Sequence, residues 1–221
     1  MQKLAKPAVF VAALAPALWL AFRTYTGRLS ANPIEDFTLT TGIWALRLLV
    51  ITLAITPLRR ITGWNRLIQY RRMLGLFAFF YAFLHFAVWL TDRWLDPLFG
   101  PDLIFDDIAK RPFITMGMIA FVLMVPLAMT STKGWIRRLG KRWMLLHRLI
   151  YISGIAAAIH YLWKVKVPAG PPVYYAIIVG VLLAVRVIWS LRNRARRQQD
   201  TAKIVGRPPG RIARSPREPA R

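Results

Sequence analysis

Residues 73–91 read MLGLFAFFYAFLHFAVWLT, an apolar run interrupted by a single histidine, His85. As a helix rising about 1.5 Å per residue, this run covers roughly 28 Å, close to the ~30 Å hydrocarbon core of a bilayer. Five further apolar runs of similar length cover residues 7–23, 42–58, 113–130, 144–163 and 173–191. The sequence therefore predicts an all-α membrane protein with six transmembrane helices.

The composition favours one membrane domain followed by a tail. Hydrophobic residues make up 56% of the chain, above the roughly 45–50% of soluble proteins. The short loops between the runs leave no room for a second globular domain, so residues 1–192 are predicted to form the bundle. Residues 193–221 are rich in arginine and in prolines that interrupt helices, and we expect a basic, disordered tail.

Two segments leave alternatives open at this stage. The first run has lysines before it and Ala13-Leu14-Ala15 within it, as a cleavable signal peptide would. Its apolar stretch nevertheless continues through Phe22, so we expect a helix that is retained. The loop from Asp92 to Arg111 has room for a short helix, on which the sequence does not decide.

The positive charge is distributed unevenly. The chain has 32 Lys and Arg against 9 Asp and Glu, a net charge of +23. Of the 32 basic residues, 22 lie in segments that share a side with the N-terminus, which is the bias of cytoplasmic loops. We therefore expect both termini in the cytoplasm, a multi-pass membrane location, and contact with anionic lipid rather than nucleic acid.

The residues suited to redox chemistry are few. The absence of cysteine excludes disulfides, iron–sulfur clusters and covalently attached haem. All three histidines, His85, His147 and His160, lie in predicted spans, and those spans contain no Asp or Glu. Haem iron held by imidazoles is the best match to this set. Histidines that only pack between helices, as in a small transporter or scaffold, are the alternative.

Helix rise separates the three histidines by depth. His85 and His160 differ by only about 5 Å in depth, both in the outer half, and are the predicted axial pair. His147 lies about 15 Å deeper than His85, at the level of Arg71 and Arg72. No histidine is expected opposite His147. The sequence therefore predicts one haem and leaves a second haem open. His147 and His160 also point about 140° apart on an ideal helix, so two haems require a distorted helix.

Several sequence motifs together resemble one known family. The motifs are His147-Arg148-Leu149-Ile150-Tyr151, the segment from His160 to Lys166, Arg71-Arg72-Met73-Leu74-Gly75-Leu76 before His85, Thr56-Pro57-Leu58, Arg111-Pro112 and Thr130-Ser131-Thr132. In order and spacing they resemble the MsrQ (YedZ) family over roughly residues 5–192. These proteins are ferric-reductase-like transmembrane domains that serve as haem-binding subunits of methionine sulfoxide reductase systems.

The resemblance implies a location, cofactors and partners. The implied location is the inner membrane of a bacterium. It implies b-type haem, association with FMN, and electrons taken from the quinone pool or a cytosolic flavin reductase. The electrons are expected to pass to a periplasmic molybdopterin enzyme, MsrP, which reduces methionine sulfoxide. The candidate ligands are His85, His160 and His147, with Arg71 and Arg148 as candidate cofactor-binding residues.

Other assignments remain open from sequence. Arg47, Arg148 and Arg186 are candidates to neutralise haem propionates, although each could instead reach the membrane interface. The chain has no glycine-rich nucleotide motif, so it is expected to be an electron-transfer subunit with a separate catalytic partner. A quinol-oxidising cytochrome b that serves another reductase is the alternative function.

Overall fold

The structure, a computed structural model, describes residues 2–95, 101–165 and 170–205, and every regular element in these ranges is a helix. The side chains are described for residues 5–95, 104–165 and 170–199. The helices are α1 Gln2–Tyr25, α2 Pro33–Thr62, α3 Ile68–Leu95, α4 Pro101–Lys110, α5 Pro112–Met129, α6 Lys133–Leu139, α7 Lys141–Leu146, α8 Leu149–Lys164 and α9 Pro171–Val205, with a 3-10 turn at Asn65–Leu67. The predicted all-α class is confirmed.

Six segments of the described chain are long and apolar enough to cross a membrane, as predicted. They are Ala5–Tyr25, Pro33–Thr62, Asn65–Leu95, Pro112–Met129, Lys141–Lys164 and Pro171–Gln199. The segment between the third and fourth spans does contain a short helix, α4.

The chain divides into two compact units, Met1–Leu183 and Ala184–Arg221. The second unit begins within α9, whose helix continues to Val205, past the boundary expected at residue 192. Residues 206–221, the remainder of the predicted tail, lie outside the described residues.

The boundaries of α2 follow from local sequence signals. The Asn32 side chain accepts a hydrogen bond from the Glu35 backbone N–H at 3.3 Å, and Pro33 occupies the first turn. Both features are typical of helix N-termini. Gly63 ends the helix with φ of 71°, the left-handed conformation that glycine adopts without strain.

The first unit is built around two helix pairs, α2 with α3 and α5 with α8, which make its most extensive contacts. Small residues let these helices approach closely, as is common in membrane bundles. A methyl group at Gly154 of α8 would lie 3.1 Å from Leu53 of α2. The fully buried Ser153 donates a hydrogen bond to the Ala120 carbonyl of α5 at 2.9 Å.

Helix α1 packs on the α2/α3 pair through Tyr81, whose side chain is fully buried. The Tyr81 hydroxyl donates to the Ala13 carbonyl at 2.9 Å and accepts from the Ala17 N–H at 3.0 Å. These two backbone groups face each other across the turn that contains Pro16, a residue that disturbs a helix. The Tyr81 hydroxyl therefore bonds the backbone of α1 at the turn where the hydrogen bonding within that helix is weakest. Such a contact is expected for a helix that belongs to the bundle.

The fifth span is not the continuous helix that its apolar pattern predicts. It breaks between α7 and α8, at His147 and Arg148. Both the backbone N–H of His147 and its ring Nδ1 lie about 3 Å from the Trp143 carbonyl, at 3.0 and 3.1 Å. The Arg148 N–H donates a hydrogen bond to the Leu145 carbonyl, three residues back, where an α-helix would use the carbonyl four residues back. The imidazole thus shares the Trp143 carbonyl with the backbone at the point where the helix is interrupted.

Candidate functional site

His85 of α3 and His160 of α8 lie opposite each other between the two helix pairs. Their ring centroids are 6.0 Å apart and the ring planes are inclined at 79°. The pairing expected from helix rise is therefore present in the structure. The rings lie on different helix pairs, so forming this site requires α2/α3 and α5/α8 to pack together.

Each imidazole is fixed by a backbone carbonyl of its partner helix. His85 Nδ1 lies 3.0 Å from the Thr38 oxygen of α2, and His160 Nδ1 lies 2.6 Å from the Phe113 oxygen of α5. A carbonyl oxygen can only accept, so Nδ1 must carry the proton in both rings. Nε2 is left as the unprotonated nitrogen, which is the form that binds a metal, and the Nδ1 bond increases its basicity.

Each ring also packs on a glycine one turn after that carbonyl. A methyl group added at Gly42 would lie 3.0 Å from His85, and one added at Gly117 would lie 2.7 Å from His160 Nδ1. Any side chain at these positions would displace the imidazole. The two halves are built alike, because each histidine is 47 residues beyond its carbonyl partner. Sequence analysis missed both glycines, although the equal Gly-to-His spacing was a usable signal.

A cavity of about 570 Å³, the histidine cavity, contains both rings and is walled by α2, α3, α5 and α8. Its size falls within the ~300–1,000 Å³ of typical cofactor sites. Its walls are mainly apolar, and four charged residues stand among its lining: Asp92, Arg93, Arg111 and Lys164. An apolar slot with cations at one end suits a planar macrocycle that carries carboxylates.

The spacing of the rings fits a metal centre between them. Two imidazole nitrogens, each about 2 Å from one metal ion, place the ring centroids roughly 6 Å apart. The observed 6.0 Å agrees with this value. The described residues contain no group of three or more His, Asp or Glu suited to a metal ion. Two facing imidazoles whose Nε2 atoms are unprotonated are a donor set that suits the two axial positions of haem iron.

Two of the charged residues that line the cavity are held by a buried carboxylate. The Asp107 side chain, 4% exposed, pairs with the Arg93 guanidinium at 3.3 Å and the Arg111 guanidinium at 2.6 Å. It thereby joins α3, α4 and the start of α5. The sequence did not indicate this arrangement, because Asp107 lies in the outer loop where an acid is unremarkable.

The arginines nominated from sequence lie elsewhere. Arg47 donates from Nε to the Tyr175 hydroxyl at 3.0 Å and does not line the histidine cavity. Neither Arg71 nor Arg148 is part of its lining. Arg186 belongs to the second unit of the chain. The cations that do line the histidine cavity are Arg93, Arg111 and Lys164.

His147 does not line the histidine cavity. Its ring stacks on Trp143, with centroids 3.9 Å apart, at the junction of α7 and α8. The distortion that two haems would require is present at this position, whereas a second histidine is not.

The fold and the site define a polytopic membrane protein with a histidine pair between two helix pairs. The ferric reductase like transmembrane component family matches residues 41–158, which hold most of α2, all of α3 and α5, and α8 as far as Ala158. The chain belongs to the MsrQ family within this class.

Three relatives show the extent of the similarity. A protein-methionine-sulfoxide reductase heme-binding subunit MsrQ from Herminiimonas arsenicoxydans is 51% identical over 196 residues, 87% of this chain and 88% of the relative. The protein of the same name from Ralstonia nicotianae is 52% identical over 190 residues, 84% and 86% of the two chains. That from Xanthomonas campestris pv. campestris is 46% identical over 211 residues, 93% and 94%.

Proposed function

We propose that this protein is the haem b-binding membrane subunit of a methionine sulfoxide reductase system. One observation carries the proposal. The ring centroids of His85 and His160 are 6.0 Å apart, and Nδ1 of each ring donates a hydrogen bond to a backbone carbonyl. The names of the relatives, which call them heme-binding subunits, support the same assignment.

The residues around the cavity have separable tasks in this proposal. His85 and His160 hold the iron through Nε2, while Thr38 and Phe113 hold the rings through their carbonyls. Arg93, Arg111 and Lys164 balance the propionates, and the apolar walls exclude water. When bound, the haem supplies a one-electron redox centre whose potential depends on the axial ligands and on burial.

The direction of transfer follows from the predicted topology. With both termini in the cytoplasm of a bacterial inner membrane, the histidine cavity lies toward the periplasm. Electrons would then leave at this end to a periplasmic partner, for which the molybdopterin enzyme MsrP is the candidate. The quinone pool and a cytosolic flavin reductase are the candidate donors.

The opposite end of the bundle is the candidate second cofactor position. His147, Arg71 and Arg148 stand there without a second histidine, so a further haem would need another axial ligand. FMN, expected from the family resemblance, is the other candidate. Only the His85–His160 site has two imidazoles in place, which favours one low-spin haem per chain.

A reduced-minus-oxidised optical spectrum with haem quantified per chain tests the proposal. A low-spin b-type spectrum at one haem per chain is the expected result. Co-purification with the periplasmic reductase, and re-oxidation of the reduced protein by it, then separates this function from a cytochrome that serves another reductase. A colourless protein would instead point to a transporter or scaffold.

A further inference from the structure

A second cavity, the lateral cavity, lies between α1, α2 and α3 and has a volume of about 720 Å³. Its space exists because Ala17 and Ala21 of α1 and Ala87 of α3 present small side chains to it. Tyr81 and Asp92 also line it, and they are about 16 Å apart along α3. The cavity is therefore an elongated apolar slot with a carboxylate toward one end.

The lateral cavity adjoins the histidine cavity. Thr41 and Leu84 line the lateral cavity, whereas the next residues in the chain, Gly42 and His85, line the histidine cavity. Asp92 lines both. A single layer of α2–α3 packing separates the two, so a redox-active molecule in the slot would lie beside the iron site.

The slot is accessible from the apolar surface of the bundle. Ile34 and Leu95 line it and are 46% and 73% exposed. Both belong to segments long and apolar enough to span the membrane. A ligand that is dissolved in the bilayer can therefore reach the slot without crossing water.

The polar groups of the slot select the kind of ligand. The Tyr81 hydroxyl is engaged by α1, and the Thr41 hydroxyl donates to the Phe37 carbonyl at 2.6 Å. Asp92 is the charged residue among those lining the slot, with its side chain 35% exposed and the Arg93 guanidinium 3.9 Å away. A carboxylate repels a lipid phosphate but accepts a hydrogen bond from a hydroxyl. The fitting molecule is apolar and carries an acidic hydroxyl group.

We propose that the lateral cavity binds an isoprenoid quinol, with one ring hydroxyl on Asp92 and its tail along the slot. This inference rests on the proposed electron-transfer function. It also explains why the histidine pair lies at one end of the bundle. Electrons that enter from the membrane beside His85 reach the periplasmic end without a second metal centre in the inner half.

Quinol oxidation at this site needs an acceptor for two electrons and acceptors for two protons. Oxidation of the quinol to the quinone breaks two O–H bonds and releases two electrons and two protons. A haem held by His85 and His160 would accept the electrons one at a time, with the periplasmic partner removing the first before the second is transferred. The hydroxyl bound to Asp92 gives its proton to that carboxylate, which passes it to the aqueous phase, and the second hydroxyl gives its proton to water at the same end, where the Asp92 side chain is 35% exposed.

Cavity-filling substitutions test the binding site. The haem-loaded protein in phosphatidylcholine nanodiscs is titrated with decylubiquinone and followed by tryptophan fluorescence, and haem reduction by decylubiquinol is followed in the Soret band. Ala21→Phe and Ala87→Phe should each weaken binding and slow reduction at least about tenfold. Ala15→Phe is the matched control, because Ala15 is exposed on the same helix as Ala21 and does not line the slot.

Two further measurements separate the possible failures. Reduction by dithionite and the Soret spectrum should be unchanged in both cavity variants, which shows that folding and the iron site are intact. The titration repeated on His85→Ala should still show binding, so the slot can be tested even if the haem assignment fails. Wild-type affinity in Ala21→Phe and Ala87→Phe overturns the proposal, as does phospholipid that is retained in the slot and not displaced by decylubiquinone.

Asp92→Asn tests the role of the carboxylate. Asparagine keeps the size of the side chain but is a poor proton acceptor, so decylubiquinone should bind within about threefold of wild type. The maximal rate of quinol-driven reduction should fall at least about tenfold, with little change in the quinol concentration at half-maximal rate. An unchanged maximal rate would remove Asp92 from the reaction.

Discussion

Gly117→Ala is the substitution for which the structure gives the clearest expectation. The new methyl carbon would lie 2.7 Å from His160 Nδ1 and 2.9 Å from Cε1, where comfortable contacts are about 3.5–4 Å. The imidazole must therefore move by about 1 Å. Overpacking costs about 1–3 kcal/mol and weakening of the bond to Phe113 adds about 1, against a gain of about 1 from alanine in a helix. The net loss of stability is about 1–3 kcal/mol.

The effect on the site should exceed the effect on folding, since the displaced ring is one of the two proposed ligands. We expect Gly117→Ala to lose most of its low-spin haem, as measured by haem per chain and by the optical spectrum. Gly42→Ala should show a smaller loss, because its methyl would lie 3.0 Å from His85. Gly180→Ala, where no atom lies within 4 Å of the added carbon, is the helical control. The reasoning is refuted if Gly117→Ala binds haem as Gly180→Ala does.

Three further predictions concern stability and spectroscopy. Tyr81→Phe removes the hydroxyl that serves α1 and should destabilise the protein by about 1–3 kcal/mol in thermal unfolding, with the exposed Tyr174→Phe unchanged as its control. Asp107→Asn leaves two guanidiniums without their buried carboxylate, so the thermal midpoint should fall and a redox titration should give a higher haem midpoint potential. An unaltered potential would show that this charge does not act on the haem. The 79° between the imidazole planes should give the strongly anisotropic low-spin electron paramagnetic resonance signal of perpendicular axial ligands, and a signal of parallel ligands would contradict the geometry.

The architecture could be predicted because it depends on composition and length. Six apolar runs must become helices, since a backbone in lipid has to satisfy its own hydrogen bonds. The pairing of His85 with His160 followed from the constant rise of those helices. Depth along the membrane normal is a one-dimensional quantity, which the chain length between charged boundaries determines.

The lateral arrangement of the helices could not be obtained in this way. Which helix faces which decides that Thr38 and Gly42 meet His85, and Phe113 and Gly117 meet His160. The sequence does not show which backbone carbonyl will meet a side chain. Glycines are common in membrane helices, so Gly42 and Gly117 did not stand out. The same holds for Asp107, whose importance comes from the two guanidiniums that folding brings to it.

The break at His147 shows a different limit. The apolar pattern continues through residues 144–163, and hydropathy alone predicts one helix. The structure instead has an irregular turn at His147, whose ring shares the Trp143 carbonyl with the backbone. Such a shared carbonyl is visible only once the ring orientation is known.

The most direct test of the central claim compares the optical spectra and haem content of three histidine variants of the full-length protein. His85→Ala and His160→Ala should each abolish the low-spin spectrum, since each removes one of the two facing imidazoles. His147→Ala should keep it, because that ring does not line the histidine cavity. A low-spin spectrum that survives His85→Ala and His160→Ala but disappears in His147→Ala would contradict the account.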